Sequence, residues 1–324
     1  MDALSNVLKS LRLEGAVYLN AEFSAPWCIQ AEYGLASVRE RLAGAEHVVF
    51  FHYFVEGGCK VPLANGEVLE VSAGDLLLFP QDDKMLMGSD LNLQPVEAGD
   101  LPYDDAGAEV MELRHGGGGA RTRMVCGYLA SNRSVCRVLF DALPPVLRIP
   151  VGEGPSATML RELLRAGVRE SAAGRPGAES LLAKLSELMF VEALRTYVES
   201  LPPGRSGWLA GLRDPPLARA LALLHEEPGR AWTVDILARE AAMSRSALAE
   251  RFTAIVGEPP MQYLMRWRLA LAAQALRDSV EPIARVAERS GYDSEAAFNR
   301  AFKREFGVPP AAWRRGVTAS AARS

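Results

Sequence analysis

The C-terminal third of the chain repeats itself. Ala238-x-x-x-Ala242 recurs 49 residues later as Ala287-x-x-x-Gly291, and past that turn the offset becomes 50. Leu248 maps to Phe298 and Phe252 to Phe302. Gly257-Glu258-Pro259-Pro260-x-x-Tyr263 maps to Gly307-Val308-Pro309-Pro310-x-x-Trp313. One residue is inserted in the second turn and nothing else moves. Self-similarity at this period marks a duplicated supersecondary unit. Each copy reads as helix, tight turn, helix. Thr233 is placed to cap the first helix of copy one, with Asp235 in its opening turn, and Ser244 to cap the second. Pro282 stands near the start of copy two, Gly291 makes its turn and Ser294 caps its second helix. Two helices across a three- to four-residue turn form the helix-turn-helix unit, whose second helix enters the DNA major groove.

The outward residues of those second helices fit that use. Copy one presents Arg245, Ser246, Ala249, Glu250 and Arg251; copy two presents Glu295, Ala296, Asn299, Arg300 and Lys303. Arg and Asn can pair with guanine or adenine edges, Glu can accept from cytosine, and Arg or Lys can neutralise phosphate. Charged residues on one such helix are usually just a solvated face. Their recurrence in tandem favours the DNA reading. The segment Met261 to Arg277 is helical and, at about 1.5 Å per residue, spans roughly 26 Å. With the width of the flanking helices, that could set the two reading helices about one DNA turn, ~34 Å, apart.

Upstream the texture differs. To about residue 130 there are short apolar runs, such as Val48–Phe51, Val68–Val71, Leu76–Phe79 and Met124–Leu129, separated by turn signals such as Gly57-Gly58 and Asn65-Gly66. That pattern predicts an antiparallel sandwich or barrel. Helical periodicity takes over near residue 156. One stripe runs through Met159, Leu160, Leu163, Leu164 and Val168; a stronger one runs from Leu181 to Val198. Pro202-Pro203-Gly204 and the residues after it read as a linker.

The net charge of −4 hides a polarity. Residues 1–150 carry 12 basic and 20 acidic residues, whereas 214–318 carry 15 and 13. A nucleic-acid surface is therefore to be sought in the C-terminal part alone. No apolar run approaches the ~20 residues of a membrane helix. Lys9 and Arg12 fall too early for a signal peptide. The 4 cysteines form no CxxC, which fits reduced thiols and a cytoplasmic protein.

The stretch from Trp232 to Trp313 resembles the DNA-binding domain of the AraC/XylS family of bacterial transcription regulators. The likeness rests on Trp232-Thr233-Val234, Ala238, Met243-Ser244-Arg245-Ser246-x-Leu248, Arg251-Phe252, Arg268-Leu269, Ala272 and Leu276. It continues through Gly291-Tyr292-x-Ser294-x-x-x-Phe298-x-Arg300-x-Phe302-Lys303 and Phe306-Gly307-x-Pro309-Pro310. The resemblance implies base reading by Ser246 and Glu250 in the first copy, and by Glu295, Ala296, Asn299 and Arg300 in the second. The N-terminal part resembles the cupin-type sensor domain of one subgroup, through His52 to Cys59, Ala73-Gly74-Asp75 to Pro80, His115-Gly116-Gly117-Gly118-Gly119, Cys126-Gly127-Tyr128-Leu129 and Leu143-Pro144-Pro145. Where that subgroup usually has a His after the Gly-Asp strand, this chain has Met85, which counts against a metal-binding cupin.

His52, Cys59, His115 and Cys126 are the effector or redox candidates. Three uses stay open: packing as small apolar groups, oxidant sensing by a solvent-reachable thiol such as Cys126, and zinc or copper binding. Packing carries the most weight, and no catalytic residue, metal or cofactor is assigned. Trp27, Tyr33, Phe51, Tyr53 and Phe79 could line an apolar effector pocket. The glycine run 116–119 reads as a flexible turn and lacks the context of a phosphate loop.

The expectation is thus an α+β chain in three parts. A cupin-like antiparallel β-barrel sensor occupies 1–150, a helical dimerisation segment and linker 151–207, and an all-α domain with two helix-turn-helix units 214–316. It would act as a homodimeric transcription regulator or activator on promoter DNA, with RNA polymerase as partner and an unknown effector, and with no membrane partner. The rivals are a cupin metal enzyme with an accessory DNA-binding domain, and a constitutive DNA-binding dimer.

Overall fold

The computed structural model describes residues 2–10, 14–32, 47–81, 84–104, 110–131, 139–140, 142–150, 155–173, 175–202 and 204–321. They divide into two compact units. One holds Leu13–Ser131 and Leu143–Tyr197; the other holds Met1–Arg12, Asn132–Ala142 and Val198–Ser324. The units therefore do not follow the chain-order boundaries expected from composition. Helix α1 (Ala3–Ser10) packs on α5 (Pro215–Glu226) of the C-terminal unit, burying Ala3 and Val7. The two long helices expected as a separate segment, α2 (Pro155–Ala173) and α3 (Ala178–Ser200), lie up to Tyr197 in the β-rich unit.

The β-rich unit is two open sheets rather than a closed barrel. The larger has the order β12 (Leu147–Pro150), β6 (Asp75–Phe79), β3 (His47–Glu56), β11 (Arg121–Ser131), β1 (Glu14–Ser24), β10 (Met111–Gly116), β9 (Tyr103–Asp104). The smaller runs β5 (Val68–Ser72), β4 (Gly58–Pro62), β7 (Lys84–Gly88), β2 (Cys28–Glu32), β8 (Val96–Glu97). Nor is it wholly antiparallel: β1 pairs β10 in parallel, as β2 pairs β8. Among the described residues the outermost strands of each sheet pair on one side only, and β8 and β9 have two residues each.

Alternation along each strand sends one set of side chains between the sheets. Phe23, Trp27, Phe50, Phe54, Val61, Val71, Leu77, Phe79, Met87, Leu113 and Tyr128 share that core, with Phe23 stacked on Trp27 at 4.3 Å. β3 is buried on both faces. Its other set, Phe51 and Tyr53, faces a small cavity also lined by Leu163, Leu164, Leu182 and Met189 of α2 and α3. A strand covered twice loses the polar alternation of an exposed sheet, which is why Val48–Val55 reads as an apolar run interrupted only by His52.

The C-terminal unit is helical, and its duplication is visible atom by atom. In the first copy α6 (Val234–Glu240) leads to α7 (Arg245–Val256); in the second α9 (Ile283–Arg289) leads to α10 (Glu295–Phe306). Ser244 Oγ accepts from Ala247 N and Ser294 Oγ from Ala297 N, each at 3.2 Å. Both helices end on a left-handed glycine, Gly257 and Gly307. Each inner phenylalanine meets, edge-on, the aromatic residue of the helix that follows. Phe252 lies 5.7 Å from Tyr263 on α8 (Pro260–Asp278), and Phe302 5.9 Å from Trp313 on α11 (Pro310–Ala321). The short helix α4 (Trp208–Gly211) has no counterpart in the expectations.

Two consequences are measurable. The turns at Ala242 (φ 54°) and Gly291 (φ 77°) are equivalent, but only one residue there is glycine. A left-handed alanine is strained by about 1–2 kcal/mol. Ala242→Gly should therefore leave stability unchanged or raise it by up to ~1 kcal/mol, whereas Gly291→Ala should lower it by about 1–3 kcal/mol. Urea unfolding of the full chain checks both.

His225 on α5 is buried, stacked on Trp267 at 4.1 Å and hydrogen-bonded to the Tyr263 hydroxyl. Burial pushes its pKa down to about 3, against about 6.5 in an unfolded chain. The unfolded state therefore binds the extra proton first, so stability is full above about pH 6.5 and falls steadily toward pH 3. His225→Phe should flatten the decline in urea midpoint between pH 6 and 4.

Candidate nucleic-acid interface

α7 and α10 each bury one face and show the other to solvent. Leu248 and Phe252 are buried on α7, and Phe298, Ala301 and Phe302 on α10. The opposite faces carry the expected residues. Arg245, Ser246 and Glu250 are exposed and Ala249 is half-buried; Glu295, Ala296, Arg300 and Lys303 are exposed and Asn299 is half-buried. Under the repeat, Ser246 corresponds to Ala296, Ala249 to Asn299, and Glu250 to Arg300. Positions three and four apart share one helical face, so each set forms a single ridge. α10 bears the amide of Asn299 and the guanidinium of Arg300, groups suited to paired donor–acceptor contacts with purine edges, while α7 has a methyl and a carboxylate at those two places and a hydroxyl at Ser246.

Arg251 departs from the expectation. Its Nε donates to Asp214 Oδ2 at 2.7 Å, and Asp214 also caps α5 by accepting from Leu217 N. The arginine, itself exposed, thus ties α7 to α5. Arg245 is held more loosely, with Nε 3.7 Å from Asp235 Oδ2 on α6, both side chains open to solvent. Exposed pairs of this kind contribute little and exchange readily for a phosphate.

Sequence reasoning placed α8 between the two copies but missed the side-chain links it makes. Arg266, on it, pairs with Glu258 just past α7 and Glu305 of α10, and Arg268, two residues on, joins the turn after α5 to the turn at Gly291. Arg268-Leu269 stood in the family-like motif, but their partners lie in distant turns that no local pattern discloses.

In the β-rich unit, the candidates are partly assembled. Cys126 on β11 is the register partner of His52 on β3, and both are buried. Cys59 on β4 shares the same core cluster as Cys126. His115 on β10 is only partly buried, with β1 between its strand and β11, and its ring meets Phe23 at 6.4 Å. Burial in an apolar core raises the Cys59 and Cys126 thiols well above their ordinary range and lowers the His52 imidazole to about 4. Cys126 is therefore not solvent-reachable, as an oxidant sensor would need to be. Among the described residues, no three His, Cys, Asp or Glu side chains are placed to hold a metal ion. Met85, in the position where the resembling subgroup has a histidine, is a core residue.

The aromatic candidates divide in two. Trp27 and Phe79 belong to the intersheet core, Phe51 and Tyr53 line the outer cavity, and Tyr33 lies outside the described residues. The glycine run is pinned, not loose: Gly117 N donates to Ser24 O at 2.8 Å and Gly119 N to Ala25 O at 2.7 Å. Among the described residues no helix is long and apolar enough to cross a membrane.

Comparison with known proteins agrees with both units. Residues 2–199 match the cupin family and residues 237–316 the helix-turn-helix domain family. A putative AraC-like transcription regulator of Streptomyces lividans is 34% identical over 320 residues, covering 98% of this chain and 99% of its own length. The HTH-type transcriptional regulator AlkR of Acinetobacter baylyi is 29% identical over 325 residues, covering 97% and 99%. The RCS-specific HTH-type transcriptional activator RclR of Escherichia coli is 29% identical over 318 residues, covering 98% of each. With its duplicated helix-turn-helix and its cupin-type N-terminal part, the chain belongs to the AraC-like family of DNA-binding transcription regulators.

Proposed function

We propose that α7 and α10 enter two successive major-groove segments of one promoter and that α10 supplies most of the sequence discrimination. Asn299 and Arg300 would read purine edges, with Glu295 and Ala296 at the start of the same helix. Ser246, Ala249 and Glu250 would read the other segment more weakly, and Lys303 and Arg245 would neutralise phosphates. The observation that carries this reading is the exposed ridge on each of two equivalent helices. It comprises Arg300, Lys303 and Asn299 on one and Arg245, Ser246 and Glu250 on the other.

The β-rich unit is the receiver of the signal, and it works by binding and not by catalysis, in keeping with relatives named as transcription regulators. Buried thiols with raised pKa values carry little thiolate, which speaks for a small molecule over direct oxidation of Cys59 or Cys126. The signal would favour one arrangement of the chain by differential affinity. Met159, Leu181 and Leu188, large apolar residues left exposed on α2 and α3, suit a homodimer contact. A cytoplasmic activator that engages RNA polymerase completes the reading, and a relative named as an activator supports that direction.

Arg300→Ala should weaken binding to the selected operator by about 1–3 kcal/mol and relax the preference at one base position. An equal loss on random duplex would remove the base-reading role. Lys303→Ala should weaken binding evenly across sequences and reduce the slope of log K against log salt by about one ion. Titration at several salt concentrations reads it directly, and an unchanged slope would take Lys303 off the phosphates.

A further inference from the structure

The helix that joins the two reading units carries a pair of straps. Arg268 Nε donates to Pro228 O at 2.6 Å and its Nη2 to Arg230 O at 2.8 Å, both in the turn that follows α5. The same guanidinium lies over the turn of the second copy, where a Cβ on Gly291 would stand 2.9 Å from Arg268 Cζ and 3.0 Å from Nη1. One planar group is thus wedged between the turn that leads from α5 into the first copy and the turn of the second. Arg266 repeats the arrangement at the other end of the helical pairs. Its Nη1 is 2.8 Å from Glu258 Oε1, just past α7, and its Nε is 3.8 Å from Glu305 Oε1, in the last turn of α10.

Two residues along a helix are turned by about 200° around its axis. The two arginines therefore leave α8 on different sides, and together they oppose rotation of one copy against the other. A single link would leave that rotation free.

We propose that Arg268, backed by Arg266, fixes the angular register between α7 and α10 and so determines which base-pair spacing between the two major-groove segments the protein accepts. Arg268 is a positioning residue: it acts through the two turns and touches no base. Each added base pair shifts the second segment by about 3.4 Å and rotates it by about 35°. Following it would require the rotation that the straps resist. The guanidinium is suited to this task because its rigid fork meets two carbonyls at once, which a single ammonium cannot do.

The inference rests on the reading that both α7 and α10 enter DNA, and the test separates the two. Duplexes are selected from random sequence by the full wild-type chain, then altered by one base pair inserted or removed between the two protected segments. The wild-type chain is expected to lose about tenfold or more in affinity on either change. For Arg268→Met the penalty should shrink to about threefold or less, while a base substitution inside the α10 segment still costs both proteins the same factor. A variant that weakens at all spacings equally, keeping the wild-type ratio, would overturn the proposal by making Arg268 merely structural. An unaltered variant would do the same. If Arg268→Met does not fold, Arg268→Lys gives the same ratio with the side-chain stem retained. A wild-type chain indifferent to spacing would instead overturn the two-helix reading itself, and the straps with it.

Discussion

A helix of 12 residues has little reason to persist in water by itself. α7 and α10 stand because an inner phenylalanine on each is locked edge-on against the aromatic residue of the following helix. Phe252 meets Tyr263, and Phe302 meets Trp313. These contacts bury the inner face of each helix completely enough that the outer face is free to be polar, short and varied. The pairs also join each reading helix to its successor, so the caps, the turn and the ridge of side chains form one rigid piece in each copy. Remove that burial and the ridge on each side has no fixed shape to present to a groove.

The second copy is chemically the sharper of the two. Its ridge exchanges the carboxylate of Glu250 for the guanidinium of Arg300, and the methyl of Ala249 for the amide of Asn299, on the same backbone geometry. One scaffold used twice therefore presents two chemically different faces. Most of the acidic excess of the first 150 residues belongs to the β-rich compact unit.

Much of the C-terminal unit was legible in the residues themselves. Caps at Thr233, Ser244 and Ser294, the stop at Gly257 and Gly307, and the inserted residue in the second turn are local chemistry, and each falls where spacing placed it. What escaped was everything decided at long range. Arg251 looks like any exposed basic residue until Asp214, 37 positions away, takes it. Cys126 alternates correctly for a strand, but only the pairing of β11 with β3 shows that its thiol is sealed inside. Strand-rich texture suggested a barrel, because alternation fixes which face is apolar and says nothing of whether the ends of a sheet meet.

The packing of α1 on α5 alters how the molecule can be divided. The C-terminal unit is assembled from three separated pieces of chain, so the polypeptide passes between the units four times and not through a single tether near Pro202. Excising residues 214–316 as a free-standing reagent would strip α5 of the cover that Ala3 and Val7 provide. It would also sever every one of those passages. A free-standing DNA-binding reagent would therefore have to carry α1 as well, although that helix lies about 200 positions upstream of the helix it covers.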